Sequence, residues 1–209
     1  MDVYVAAKNM RGAWADYSFV NDPVKVDVTS AQAKDGKYRV AFSPMHMGTP
    51  YVCPDEGTFP NFEAYWQSLK MIDGLDEAKH KKWWKEITSA KRRHPAIKKS
   101  RVLGAKHKRF PGQVMGYVES RKKVYVPDYY KMVKDKYESQ YLRVLRNGNA
   151  RPIVVFDFDG PRNTKGVPLC EKVTVEMLRE RINNPDLPFG HGFVVGAMIA
   201  GIPPEEYTM

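Results

Sequence analysis

The pattern of apolar and polar residues along the chain predicts an α+β fold with short strands and amphipathic helices. Residues 2–7 and 24–29 alternate between apolar and polar positions, as half-buried strands do. The segment KYRVAF at 37–42 follows an Asp-Gly turn signal and is predicted to be a further strand. The run IVVFDF at 153–158 is almost entirely apolar, which favours a strand that is buried on both faces.

Helical periodicity is the main signal in the remaining segments. It predicts helices over 61–73 and 76–90, a long helix from Pro127 to the Asn147-Gly148 stop, a helix over 174–184 that Thr174 caps, and a small-residue core helix over 189–202. Prolines and glycines interrupt the segment 43–60, so an irregular loop is expected there. A long loop inside a compact domain is more often functional than idle.

The composition is typical of one folded domain. Hydrophobic residues make up 43% of the 209 and charged residues 28%, which allows a sizeable core. No stretch is apolar enough to span a bilayer, and the N-terminus lacks the pattern of a signal peptide. The two cysteines, Cys53 and Cys170, show no metal-ligand spacing, and neither do the five histidines. We therefore expect a single, mostly helical α+β domain over 1–209 that is cytoplasmic, with no cofactor, no metal and no membrane partner.

The net charge of +10 is concentrated in one segment. Residues 79–109 hold 13 of the 34 Lys and Arg against one acid, Glu86, whereas the rest of the chain carries 21 basic and 23 acidic residues. Such a concentration, interleaved with Trp83 and Trp84, is typical of contact with nucleic-acid phosphates. The alternative is a solvated helical face followed by a basic loop. The predicted nucleic-acid contacts are Lys91, Arg92, Arg93, Lys98, Lys99 and Arg101.

The aspartates that end the apolar run IVVFDFDG resemble the first motif of haloacid-dehalogenase-type phosphatases. Only 49 residues follow Gly160, too few for the later strands of that family. Pro161 also removes a backbone N–H where a phosphate-binding loop needs donors. The phosphatase interpretation is therefore rejected. Asp157 and Asp159 alternate along the strand, so only one of them can face a given site, and Asp159 is predicted to be the more exposed.

The segment NFEAYWQSLKMIDG at 61–74 has two distinct faces. Five apolar residues follow the i, i+3, i+4, i+7 rule and predict an aromatic stripe against the core: Phe62, Tyr65, Trp66, Leu69 and Ile72. Glu63, Gln67 and Lys70 follow at i, i+4 and i+7, so on a helix they form one polar stripe. A polar stripe of this kind is usually a solvent face. Its position directly after the irregular loop and before the basic segment favours a functional interpretation.

These residues resemble a known family. FEAYWQSLK is similar to the E-x-x-x-Q-x-x-K helix motif of the NADAR superfamily, and FSPMHMG resembles its SPFSNF-like segment. Downstream, KKVYVPDYYKMVKDKY looks like a later helix of that family, and D…FGHG looks like its C-terminal D…WG.G pattern. The resemblance extends over roughly residues 40 to 200 in the same order. It implies a NADAR-like fold whose core is 41–202, with residues 1–40 adding the N-terminal strands.

The resemblance implies cleavage of an N-glycosidic bond to ribose, notably in ADP-ribosylated guanine of nucleic acid. Breaking the C1–N bond places positive charge on C1, so a carboxylate such as Glu63 can stabilise the transition state and move the proton. Lys70 can capture the ring-opened sugar as a Schiff base if its pKa is lowered. Gln67 can hold a sugar hydroxyl.

The remaining predicted site residues come from the second half of the chain. Asp159 is the second expected catalytic acid, although Asp157 is the alternative match to the family's acid. Four residues are expected to bind substrate there: Arg121, Tyr125, Asp157 and His191. The expected partners are an ADP-ribose-like ligand and DNA or RNA. Two other functions stay open, a non-catalytic nucleic-acid-binding protein that uses 79–109 and an N-glycosidase of small molecules.

Overall fold

The chain has the mixed α+β architecture that the sequence predicts. A computed structural model describes residues 1–29, 37–96, 100–147 and 150–209. These residues form two compact units, the first from Met1–Ser43 and Arg121–Met209 and the second from Pro44–Ser120. Within the described ranges, none of the helices has the length and apolar character needed to cross a membrane.

The first unit is built on a four-stranded mixed sheet. Its strands are β1 (Val3–Ala7), β2 (Val24–Asp27), β7 (Ile153–Asp157) and β8 (Cys170–Lys172), in the spatial order β2-β7-β1-β8. β7 pairs in parallel with both β1 and β2, and β8 pairs antiparallel with β1. All five residues of β7 are buried, as its apolar sequence predicts for a central strand.

The first unit also contains helices. They are α1 (Lys37–Phe42), α5 (Val126–Tyr137), α6 (Arg143–Asn147), α7 (Val175–Asn183) and α8 (His191–Ala200), with π-helical turns at Arg121–Tyr125 and Glu138–Leu142 and a 3₁₀ turn at Pro204–Glu206. α8 is buried from His191 to Ile199. Gly196 permits the close packing of α8 on β1, because a Cβ at that position would lie 2.8 Å from a methyl of Val5.

The second unit contains two small antiparallel ladders and three helices among its described residues. β3 (Tyr51–Cys53) pairs with β4 (Gly57–Phe59), and β5 (Lys70–Ile72) pairs with β6 (Val102–Ala105). The helices are α2 (Phe62–Ser68), α3 (Glu77–Lys85) and α4 (Tyr117–Ser120). Rings from the first ladder and from α2 pack together, with the Tyr51 and Tyr65 ring centres 4.6 Å apart.

Most predicted elements are confirmed, and several boundaries are wrong. The segments 2–7, 24–29 and 153–158 are strands, Thr174 caps α7, and 189–202 contains the buried helix. The predicted strand at 37–42 is instead helix α1, whose Phe42 packs against the rings of Tyr137 and Tyr141. The 43–60 loop contains the β3–β4 hairpin. The Asp35-Gly36 turn and the Gly148 stop lie outside the described residues.

Three predicted helices are shorter or more interrupted than expected. The helix predicted over 61–73 ends at Ser68, and the one predicted over 76–90 is α3, which ends at Lys85. The long helix after Pro127 begins earlier, at α4, and is divided by the two π-helical turns. Helical periodicity correctly predicted that these elements are helices, whereas strand pairing and the π-helical turns determine the residues at which they end.

Candidate active site

The aromatic face of α2 anchors the candidate site in the second unit. Asn61 caps the helix by accepting a hydrogen bond from the Ala64 N–H at 2.7 Å. The predicted apolar stripe is buried. Trp66 has 8% of its surface exposed and belongs to the hydrophobic core, as its position on the stripe predicts. This packing fixes the opposite edge of the helix, where Glu63 and Gln67 project.

The polar stripe is formed by a helix and a strand together. Glu63 and Gln67 lie on α2, and the Gln67 Nε2 donates a hydrogen bond to the Glu63 Oε1 at 2.7 Å. The expectation that Lys70 continues the same helix is wrong, because α2 ends at Ser68 and Lys70 opens β5. The chain turns there because Lys70 pairs with Ala105 in the β5–β6 ladder and the Lys106 N–H donates to the Leu69 carbonyl.

Lys70 nevertheless lies within the electrostatic field of Glu63. Burial lowers the pKa of Lys70 below its ordinary value, the Glu63 carboxylate opposes that shift, and the Arg93 guanidinium adds to it. The Lys70 ammonium also lies 5.9 Å from the centre of the Trp66 ring. Glu63 and Gln67 are therefore in direct contact, Lys70 is within electrostatic reach of Glu63, and the pKa of the Lys70 amine is shifted toward its neutral, nucleophilic form.

A cleft of about 230 Å³ opens beside Lys70. It lies between the end of α2, the ladder β5–β6 and the first turns of α3, and its walls are formed by Ser68, Leu69, Lys70, Met71, Glu77, Ala78, Lys81 and Lys106. Two of its cations are paired with carboxylates: Lys106 with Glu77 at 2.8 Å and Lys81 with Glu56 at 2.6 Å. The cleft thus has a mostly apolar lining with charged side chains on its walls, Lys70 among them.

His80 is a neighbour of Lys70 that sequence reasoning missed. It is buried on α3, and its Nε2 accepts a hydrogen bond from the Trp84 Nε1–H at 2.8 Å. Burial lowers the pKa of His80 to about 4, His94, Lys70 and Lys81 add to this shift, and a hydrogen bond to the Lys70 backbone opposes it. The i, i+4 spacing of His80 and Trp84 on a predicted helix was the available signal.

The neutral state of His80 predicts a pH-dependent stability. Because the folded pKa is about 4 and the ordinary value is 6.5, the unfolded chain takes up this proton first as the pH falls. The His80 contribution to the free energy of unfolding is present in full above pH 6.5 and is lost between pH 6.5 and 4. One pKa unit corresponds to roughly 1.4 kcal/mol. The free energy of unfolding should fall by about 2–3 kcal/mol over this range through His80 alone.

Urea unfolding followed by tryptophan fluorescence measures this loss, since Trp66, Trp83 and Trp84 all lie in the second unit. The His80→Gln variant corrects for every other titrating group. Its unfolding free energy should fall less steeply than that of the wild type between pH 6.5 and 4. Equal slopes for the two proteins would show that His80 takes up its proton at the same pH in both states.

Several cations of the basic segment form ion pairs. Lys81, Lys106 and Arg109 form ion pairs with Glu56, Glu77 and Asp55, acids that lie outside the 79–109 window. The charge excess counted along the sequence is therefore partly neutralised in space. Of the predicted nucleic-acid contacts, the exposed ones are Lys91, Arg92, Arg93 and Arg101, whereas Lys98 and Lys99 lie outside the described residues.

The predicted site residues of the other half of the chain lie in the first unit. Asp157, at the end of β7, is 1% exposed and accepts a hydrogen bond from the Gly192 N–H at 2.8 Å. The His191 Nδ1 lies 3.4 Å from the same carboxylate, and its Nε2 lies 2.8 Å from the Val28 carbonyl oxygen. The aspartate and the FGHG segment are thus adjacent in space, and Asp159 is exposed, as predicted.

Arg121 and Tyr125 are buried in the first unit. Arg121 donates to the carbonyls of Arg181 and Asn184 at the end of α7, at 3.4 Å each. Tyr125 stacks on Tyr129 with an angle of 5° between the rings. These contacts stabilise the packing of the π-helical turn, and the substrate-binding roles of Arg121, Tyr125, Asp157 and His191 stay predictions, as does catalysis by Asp159.

This α+β chain thus holds a carboxylate, an amide and an amine of lowered pKa as one group in its second unit. The chain belongs to a family of unknown function (DUF6939), whose model matches residues 11–168. No curated protein and no solved structure matches the chain. The matched range contains Glu63, Gln67, Lys70 and the basic segment, and it ends before α7 and α8.

Proposed function

We propose that this protein is a hydrolase of N-glycosidic bonds to ribose, which releases ADP-ribose from modified guanine in nucleic acid. The observation that carries this proposal is the grouping of Glu63, Gln67 and Lys70, because a helix and a strand bring together the three residue types that the reaction needs. The resemblance of FEAYWQSLK to the NADAR helix motif supports the same reaction.

Glu63 acts on the bond that breaks. Its carboxylate stabilises positive charge on the ribose C1 and transfers the proton that the departing nitrogen requires. The hydrogen bond from the Gln67 amide fixes the orientation of one carboxylate oxygen. Gln67 retains a carbonyl that can accept from a sugar hydroxyl.

Lys70 acts on the opened sugar. When the ribose ring opens, C1 becomes an imine of the guanine nitrogen, and the neutral Lys70 amine adds to that carbon. The guanine amine then leaves with a proton, which gives a Lys70–ribose imine that water hydrolyses to free ADP-ribose and the original lysine. Burial favours this step, since it lowers the pKa of Lys70 and raises the fraction of neutral amine.

The exposed cations of the same unit bind the phosphates of the nucleic acid. Lys91, Arg92 and Arg93 follow α3, and Arg101 directly precedes β6. Each phosphate contact of this kind makes affinity fall as salt rises. The same exposed cations favour the second candidate function, a non-catalytic nucleic-acid-binding protein, and salt-dependent binding alone does not separate the two. In the third candidate function, an N-glycosidase of small molecules, the positive charge of these exposed cations has no role in binding the substrate.

The Glu63→Gln variant separates these functions. A guanine-containing oligonucleotide that carries ADP-ribose on the base is incubated with each protein, and released ADP-ribose is measured by mass spectrometry. Wild type should release it, and Glu63→Gln should be slower by roughly 10²–10⁴-fold, the usual contribution of acid–base catalysis. The glutamine still accepts the hydrogen bond from Gln67, so folding should be retained.

Glu77→Gln is the matched control, since Glu77 is a glutamate of the same unit on the wall of the cleft. It should keep the wild-type rate to within about threefold. Equal rates for wild type and Glu63→Gln would remove the hydrolase assignment. Retention of the oligonucleotide without release by any of the proteins would favour the binding protein.

A further inference from the structure

A cysteine, an aspartate and a histidine, none of them part of the Glu63 group, meet in the second unit. Cys53 ends β3, Asp55 lies in the turn before β4, and His107 follows β6. One ligand atom from each residue lies within 4.8 Å of those of the other two. Cys53 and His107 are buried, whereas Asp55 is exposed at the surface end of the group.

The distances fit a tetrahedral metal ion. Zinc lies about 2.3 Å from thiolate sulfur and about 2.0 Å from imidazole nitrogen, so two such ligands on a tetrahedron are about 3.6 Å apart. The Cys53 Sγ and the His107 Nε2 are 3.7 Å apart. The two buried ligands are therefore already at the spacing that the ion requires. Asp55, in an exposed turn, has a carboxylate oxygen within 4.8 Å of both ligand atoms.

We propose that Cys53, Asp55 and His107 form a zinc-binding site with one coordination position open to water. A thiolate and a carboxylate balance the two positive charges of the ion, which removes the main cost of placing it beside buried groups. The ion would connect the β3–β4 hairpin to the ladder β5–β6, two elements far apart in sequence. Mixed sulfur, nitrogen and oxygen ligands favour Zn²⁺ over Mg²⁺ or Ca²⁺.

Zinc binding requires two local changes, one in an ion pair and one in a hydrogen bond. Asp55 leaves its ion pair with Arg109, which has an N···O distance of 3.6 Å and is exposed. His107 accepts a hydrogen bond at Nδ1 from the Arg109 N–H at 2.9 Å, whereas zinc on Nε2 places the ring proton on Nδ1. That proton needs an acceptor, and Glu56 is a buried carboxylate that interacts electrostatically with His107. A carboxylate behind a zinc-bound histidine is a frequent arrangement.

A nucleophilic Cys–His pair explains the geometry less well. A catalytic thiol needs access to substrate, and Cys53 is 1% exposed. It also needs a base that accepts its proton, whereas the hydrogen bond into His107 Nδ1 leaves the proton of the neutral ring on the Nε2 that faces the sulfur. A metal ion overcomes this objection because it takes the place of the thiol proton, leaves the ring proton on Nδ1, and is small enough to enter a buried group.

Cobalt titration tests the site directly, since Co²⁺ takes up zinc sites and reports thiolate ligation by a charge-transfer absorption in the near ultraviolet. The metal-free wild-type protein should bind one equivalent of Co²⁺ with this absorption, and Zn²⁺ should displace it. Cys53→Ser should lose the band, and Zn²⁺ affinity measured against a chromogenic chelator should fall by about 100-fold or more. Cys170→Ser is the matched control and should behave as wild type, because Cys170 belongs to the other unit.

Asp55→Asn keeps the test decisive if Cys53→Ser does not fold. Asp55 is exposed, so this variant should fold normally, keep the charge-transfer band and bind Zn²⁺ about tenfold more weakly or worse. A wild-type protein that shows no charge-transfer band with Co²⁺ would overturn the proposal. So would a band of unchanged strength in Cys53→Ser, or unchanged Zn²⁺ affinity in Asp55→Asn. None of these readouts depends on hydrolase activity.

Discussion

Replacement of Lys70 by arginine is expected to lower the rate of ADP-ribose release by about 10³-fold or more, although the positive charge is retained. Arginine stays protonated at all accessible pH values, so it cannot add to C1 of the opened ribose. In the wild type, burial lowers the pKa of Lys70 and makes its neutral amine available. The release rate should therefore rise with pH toward that lowered pKa in the wild type and not in Lys70→Arg.

Borohydride trapping supplies the direct evidence for the intermediate. Reduction during turnover converts the imine to a stable secondary amine, so wild type should carry one ADP-ribosyl adduct on the peptide that contains Lys70. Lys106→Arg is the matched control, since Lys106 is on the wall of the same cleft and is paired with Glu77. This control should form the adduct and retain activity. Full activity in Lys70→Arg would limit the proposed chemistry to Glu63.

The helical spacing of Glu63, Gln67 and Lys70 predicted the candidate site only in part. The spacing of Glu63 and Gln67 correctly predicted that both lie on one face of a helix, and the structure adds a 2.7 Å hydrogen bond between their side chains. The same spacing extended the helix through Lys70, but strand pairing of Lys70 with Ala105 ends it earlier. Lys70 remains within electrostatic reach of Glu63. The turn that places it on β5 depends on a segment more than 30 residues away, which local periodicity does not contain.

The sequence did not predict which residues that are distant along the chain lie close together in the fold. Cys53 and His107 are separated by 54 positions, so no ligand spacing signals that they meet. KYRVAF at 37–42 is short enough to fit either period, and burial of Ala41 and Phe42 decided in favour of helix α1. In contrast, the mostly apolar β7 and α8 were predictable, because an element that is buried on all sides is apolar at nearly every position.

Substitution of Gly192 by alanine is the structural change with the largest expected effect. A Cβ on Gly192 would lie 2.5 Å from the Cβ of Asp157 and 3.1 Å from its Cγ. Asp157 cannot withdraw, because it lies on the central strand β7, and its carboxylate accepts from the Gly192 N–H. The start of α8 must therefore move off the sheet. The expected cost is about 3 kcal/mol, or a Tm lower by about 10 °C, measured by circular dichroism.

Gly116→Ala is the control, because a Cβ there would meet no heavy atom within 4 Å and the backbone is not in the left-handed region. Its Tm should stay within about 2 °C of the wild type. If Gly192→Ala melts with the control, α8 can shift at little cost and the close contact between Gly192 and Asp157 is not a constraint on the fold. If it melts well below, the glycines of FGHG are required by the approach of α8 to the β7 aspartate. That requirement is a packing reason for the motif, and it holds whether or not His191 and Asp157 touch a substrate.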